Sequence, residues 1–200
     1  MRIVVGLGNP GKEYARTRHN AGWMALDKAA LLWPGEPVTW KIEKKWNAEV
    51  AKLGRDVLFV KPQTFMNHSG DAVGAILRFY KAKPDQLLVV HDELDLPFGT
   101  LRLVKNRGAA GHHGVESVAT ILGTKDFSRL RIGVAPAVKN KQGADLVLDG
   151  FSRTETPVLT ATLNNAAERI ISWISPHGLG PHSPPPAKGR RVPTAPPSNS

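Results

Sequence analysis

The chain has 200 residues, 41% of them hydrophobic and 22% charged, which suits one globular domain with a sizeable core. It has no cysteine and no apolar run of 18 residues, so disulfides, thiolate metal sites, a cysteine nucleophile and a membrane-spanning helix are excluded. The net charge is +10, and +7 of it falls on residues 1–175, so the body is basic in its own right and fits a polyanionic partner.

Ile3, Val4, Val5 and Leu7 predict a buried strand over residues 2–7. With a strand beginning at residue 2 there is no room for a signal peptide, and a cytoplasmic protein is expected. Residues 21–32 predict a helix stopped by Pro34. Residues 47–53 and 56–61 flank Gly54-Arg55 as a hairpin. Ala72, Val73, Ile76, Leu77 and Tyr80 form one stripe of a helix over 69–80. A buried strand over 86–90 and a short one over 101–104 follow. Then come a helix over 115–122, a strand over 130–134 and a closing helix over 157–174 with proline in its first turn. Alternating strands and helices imply a single α/β domain, and the hairpin makes the sheet mixed. Residues 176–200 hold eight of the sixteen prolines and almost no large apolar side chain, so a disordered basic tail is expected there.

The first strand runs into GLGNPG, which has the spacing Gly-x-Gly-x-x-Gly at Gly6, Gly8 and Gly11. A dinucleotide fingerprint needs a helix starting at those glycines, apolar on one side, and an acid ending the next strand. Here Asn9-Pro10-Gly11 is turn chemistry, KEYARTRHN lacks apolar periodicity, and Asp27 falls inside a helix. The loop instead presents Asn9, Tyr14, Arg16, Arg18, His19 and Asn20 at the end of a strand. His19 is its natural general base, the one side chain there of a type that titrates near neutrality.

LLVVHDELDLPFG places His91, Asp92, Glu93 and Asp95 directly after a buried run. A carboxylate at that strand end can accept the second ring N–H of a histidine and fix its tautomer. KPQTFMNHSG offers Asn67 and Ser69 ahead of a helix, where either also serves as an N-cap. RLVKNRGAAGHHG brings Arg102, Lys105 and Arg107, small residues, and His112-His113. Vicinal histidines diverge and no further ligand spacing completes a set, so no metal is expected.

GLGNPGKEYARTRHNAG, KPQTFMNHSG, HDELDLPFG and GHHG, in this order, closely resemble the bacterial-type peptidyl-tRNA hydrolase family, and RLRIGV and LDGFS fit it too. The resemblance covers residues 1 to about 175. It implies a monomeric three-layer α/β/α domain that cleaves the ester between a peptide and the 3′ ribose of tRNA, without metal or cofactor. Residue by residue, it implies His19 as the base and Asp92 as its orienting carboxylate. Asn9 and Asn67 become substrate-positioning amides, and Tyr14 and Met66 line the cleft. A clamp for the tRNA 5′-phosphate and acceptor stem falls on Arg131 and on the run Arg102, Lys105 and Arg107. The chemistry agrees with that reading: an ester yields to a base and fixed amide donors, and no Gly-x-Ser-x-Gly signals a serine nucleophile.

Three positions depart from the family pattern. His113 stands where the family has an asparagine that holds water or peptide, and it is expected to take over that contact. The preceding stretch has fewer glycines, which shifts the basic positions. Val134-Ala135-Pro136-Ala137 replaces a Gly-x-Pro turn. The alternative from another class is a non-catalytic RNA-binding relative with the same fold.

Overall fold

The computed structural model describes residues 1–34, 36–136 and 143–175, and the expected proline-rich tail lies outside the described residues. The strands are β1 (Arg2–Gly6), β2 (Lys41–Glu43), β3 (Ala48–Leu53), β4 (Val57–Pro62), β5 (Leu87–Pro97), β6 (Leu101–Lys105) and β7 (Ser128–Ala135). The helices are α1 (Ala21–Leu31), α2 (Ser69–Tyr80), α3 (His113–Leu122), the short α4 (Gly143–Val147) and α5 (Thr156–Ile174). The sheet order is β2-β3-β4-β1-β5-β7-β6. Strands β4, β1, β5 and β7 are parallel, and β2, β3 and β6 run antiparallel to their neighbours.

Both faces of the sheet are covered, which is why β1 and the start of β5 read as unbroken apolar runs. On one face Ala25, Leu26 and Ala29 of α1 meet Ala166, Ala167 and Ile170 of α5 over Val4, Phe59, Leu88 and Leu130. On the other, Val73, Ile76 and Leu77 of α2 and Val115 and Val118 of α3 cover Ile3, Val5, Leu58 and Val89. The molecule is thus the expected three-layer domain around a mixed sheet. No helix among the described residues is long and apolar enough to cross a membrane.

Two differences from the sequence reading matter. The edge strand β2, Lys-Ile-Glu, is too short and polar to show in the pattern. The second concerns β5, expected to end at Val90, which continues to Pro97. Its pairing with β7 runs from Leu88 to Glu93, while β1 stops at Gly6 opposite Val90. His91, Asp92 and Glu93 therefore extend past the end of β1, supported by β7 on one side and facing the loop after β1 on the other. Asp92 is a strand residue beside a crevice, not part of an acidic turn.

The loop is held close to that crevice by a tight crossing. A Cβ at Gly22 would collide with the Val90 carbonyl and would sit 2.6 Å from the Leu7 backbone, so only glycine lets α1 start against the sheet. That close start fixes the 3₁₀ turn Arg18–Asn20, and His19 with it, over the strand ends.

Candidate active site

Asp92 is the hub. His19 directs Nδ1 at its carboxylate, 3.0 Å from Oδ1 and 3.1 Å from Oδ2, and His112 directs Nε2 at Oδ1 across 2.9 Å. Burial favours the protonated acid, but the partners outweigh it, His112 first and then His19, and hold Asp92 well below the usual carboxylate range. An ionised carboxylate only accepts, so both histidines donate an N–H to it. The His112 Nδ1 accepts the Val115 backbone N–H at 3.3 Å, which caps α3 and fixes that ring with its proton on Nε2. With Nδ1 of His19 engaged, Nε2 is the nitrogen left to take a proton, on a side chain 12% exposed.

The site is backed by a third imidazole. His91 is fully buried and donates Nδ1–H to the Asp92 carbonyl at 2.7 Å, with its ring 4.7 Å from that of His112. Burial, then the neighbouring His112, pushes His91 well below the ordinary histidine range, so it stays neutral. Donor atoms of His19, Asp92 and His112 lie within 4.8 Å of one another. They could ligate a cation only after giving up both N–H donations to Asp92.

Asn9 faces the same space from the first loop. Its backbone N–H donates to Asn20 Oδ1 at 2.9 Å, and its carbonyl accepts Asn20 Nδ2–H at 3.0 Å. Its Oδ1 accepts the Met66 N–H at 2.8 Å. The amide is thereby oriented with Nδ2 left over for a ligand. Met66 is buried beneath the start of α3, where a Cβ on Gly114 would strike its sulfur. Tyr14 is half-buried, and Asn67 lies exposed in the 3₁₀ turn Met66–His68. The α2 N-cap is His68, so neither Asn67 nor Ser69 fills that role.

Arg18, at 4% exposure, secures the residue before His19. It donates to both oxygens of Glu155, at 2.8 and 2.9 Å, and to the Val134 carbonyl at 2.9 Å, with its guanidinium 4.7 Å from the Phe151 ring centre. Arg18, Asn20 and His112 are the site-building residues that sequence reasoning did not assign. For His112 the available signal was its place just before an apolar helix.

His113, expected at the substrate, lies on the surface of the protein. Its side chain is 71% exposed and its Nδ1 lies 3.9 Å from Glu116. It is the first residue of α3, directly after the capping residue His112. His113→Asn is therefore expected to leave kcat and the acid limb of the pH–rate profile unchanged, as steady-state rates across pH 5–8 will show.

A cavity of about 390 Å³ is lined by Arg102, Val104, Arg107, Gly108, Ala110 and Arg131. Arg131 sits opposite His91 in the β5–β7 ladder and opposite Arg102 in the β6–β7 ladder. Lys105, grouped with these cations in the sequence, points to the other face of β6 and pairs with Asp126 at 3.3 Å. It is not brought to the cavity.

The peptidyl-tRNA hydrolase sequence profile matches residues 3–180. The chain belongs to the peptidyl-tRNA hydrolase family. It is 43% identical to the peptidyl-tRNA hydrolase of Brevibacillus brevis over 176 residues, covering 86% of this chain and 91% of that one. It is 44% identical to that of Mycolicibacterium vanbaalenii over 182 residues, covering 90% and 93%. The crystal structure of the Acinetobacter baumannii peptidyl-tRNA hydrolase superposes with a TM-score of 0.80 at 30% identity, covering 88% of this chain and 89% of that one. Peptidyl-tRNA hydrolase membership fits a site made of a histidine, a carboxylate and fixed amides.

Proposed function

We propose that the protein hydrolyses the ester joining a peptide to the 3′ ribose of tRNA, with His19 as general base and Asp92 as its positioning partner. The observation that carries this is the hydrogen-bonded array His19–Asp92–His112, which leaves only Nε2 of His19 to act on a water. That nitrogen removes a proton as the water oxygen attacks the ester carbonyl. The bond between the carbonyl carbon and the 3′ oxygen then breaks as that oxygen takes the proton from the imidazolium, giving the tRNA hydroxyl and a carboxylic acid that loses its remaining proton to solvent. Asn9 Nδ2–H supplies a fixed donor for the carbonyl oxygen or the peptide main chain, with Asn67, Tyr14 and Met66 along the same groove. No cofactor enters this scheme. The enzyme is read as acting as a monomer in the cytoplasm.

Release of N-acetyl amino acid from N-blocked aminoacyl-tRNA by the purified protein tests the reading. Binding of that tRNA without turnover would reject it in favour of a non-catalytic RNA-binding protein.

The basic cavity supplies the tRNA half of the specificity through sequence-independent phosphate contacts. Arg107→Ala and Arg131→Ala are expected to raise KM for peptidyl-tRNA about tenfold each and to flatten the salt dependence of binding by about one unit per lost contact. A minimal peptidyl-adenosine should respond little, and Lys105→Ala should change neither substrate much. Equal losses on both substrates would show that the arginines are structural.

A further inference from the structure

The apolar run Leu87–Val90 of β5 is followed by an imidazole buried as deeply as the run itself. His91 Nε2 has no hydrogen-bond partner. A buried polar atom without a partner costs stability, so an apolar side chain would suit this position better if packing were its whole task. Local rules of this kind are broken where function requires it.

The task of His91 is read at its other nitrogen. The Val90 carbonyl accepts the Leu7 N–H at 2.9 Å, on the side of β1. Carbonyls two residues apart in a strand point to the same neighbour, so the Asp92 carbonyl faces that side too. There β1 has ended, since its last pairing is Gly6 with Val90. The Asp92 carbonyl therefore stands past the end of β1 in a buried residue, and His91 Nδ1–H donates to it at 2.7 Å in place of the missing strand. The same ring lies 4.7 Å from that of His112 at an interplanar angle of 75°. His112 in turn shares the Asp92 carboxylate with His19. One imidazole thus holds both the backbone of the hub and the ring of one of its two partners.

We infer that His91 is a positioning residue for ester hydrolysis: it replaces β1 as the partner of the Asp92 main chain and so fixes the carboxylate on which His19 is aligned. This rests on the reading of His19 as base and Asp92 as its partner. A shift of about 1 Å in the carboxylate would swing His19 Nε2 off the water and cost up to about 10²-fold in rate. Substrate affinity would hold, because a fully buried side chain touches no substrate.

The test compares His91→Asn, His91→Gln and His91→Leu. Asn places an amide nitrogen where the histidine has Nδ1, keeping the donor but leaving the rest of the ring's space empty. Gln carries its amide nitrogen one atom further out, where the ring has Nε2. Leu fills the space and donates nothing. On N-blocked aminoacyl-tRNA, kcat is expected to fall about 10- to 10²-fold in His91→Leu and His91→Gln and no more than about threefold in His91→Asn, with KM unchanged throughout. Thermal melts should place His91→Leu at or above His91→Asn, because Asn leaves a cavity. A merely structural residue would move kcat and Tm in the same order. In NMR spectra of the imidazole nitrogens, the N–H groups that His19 and His112 donate to Asp92 should keep their shifts in His91→Asn and change them in His91→Gln and His91→Leu. Equal kcat in His91→Asn and His91→Gln, a KM rise that accounts for the loss, or kcat values that follow Tm overturn the assignment. Imidazole signals unchanged in His91→Gln overturn it too. Should His91→Leu fail to fold, the kcat ratio of His91→Asn to His91→Gln decides alone. The spectra need no turnover, so they judge His91 even if the enzymatic reading itself fails.

Discussion

Replacing His19 by alanine lowers kcat for N-blocked aminoacyl-tRNA about 10²–10⁴-fold, the usual contribution of a positioned general base. The fold survives, because Asp92 keeps the His112 donation and α3 keeps its cap. Melting should drop by only a few degrees, consistent with the loss of one hydrogen bond to a charged group. Affinity for tRNA should hold, since the basic cavity is lined by residues of β6, β7 and the segment after β6 rather than by the His19 loop. Added imidazole should restore part of the rate by filling the vacated space. A variant with near-normal kcat would remove His19 from the chemistry.

Asp92→Asn is expected to cost nearly as much in kcat, about 10²–10⁴-fold, for a reason of tautomers. In wild type Oδ1 accepts from both histidines, and Oδ2 also lies 3.1 Å from His19 Nδ1. Either orientation of an amide sets an N–H against a histidine N–H. His112 cannot yield, because its Nδ1 is committed to the Val115 N–H. The clash is relieved when His19 accepts at Nδ1 and carries its proton on Nε2, the nitrogen that must be bare. The double variant His19→Ala/Asp92→Asn should therefore be little slower than the worse single variant. Stability carries a second signature. A carboxylate held well below its usual range stabilises fully above its unfolded value of about 3.9, and that contribution is lost as pH falls below it. The Tm gap between wild type and Asp92→Asn should be constant from about pH 5 to 8 and close only in strong acid. Thermal melts across pH check the sign, and a gap that widens on acidification would refute it.

Particular residues show where sequence reasoning ran well and where it stopped. The apolar runs of β1 and β5 and the stripe on α2 are packing patterns, and packing patterns repeat with the period of the element. The end of β5 is hidden in the sequence because His-Asp-Glu-Leu-Asp carries charge into a sheet, and charge is a loop signal unless a partner is known. The partners are His19, His112 and Arg131, which lie far away in sequence. His112 and His113 were indistinguishable by type. The N-cap position turns one inward, and the first helical position turns the other out. Lys105 resembles Arg102 in charge alone; the two-residue period of a strand puts them on different sides.

Strand β1 lies at the middle of the sheet, between β4 and β5, yet it is the earliest of the seven to leave the ribosome. Ile3, Val4 and Val5 must wait, without either neighbour, until more than fifty further residues have been made for one side and more than eighty for the other. Assembly thus cannot proceed by adding strands in order from one edge. It must close long loops around a strand held in reserve, a slow route that leaves an apolar segment open to aggregation. The same order of synthesis makes the loop bearing Asn9 and His19 the last part of the site to gain its walls, since Asp92 and His112 emerge much later. Binding of nascent chains by a chaperone should therefore centre on this segment until β5 is out.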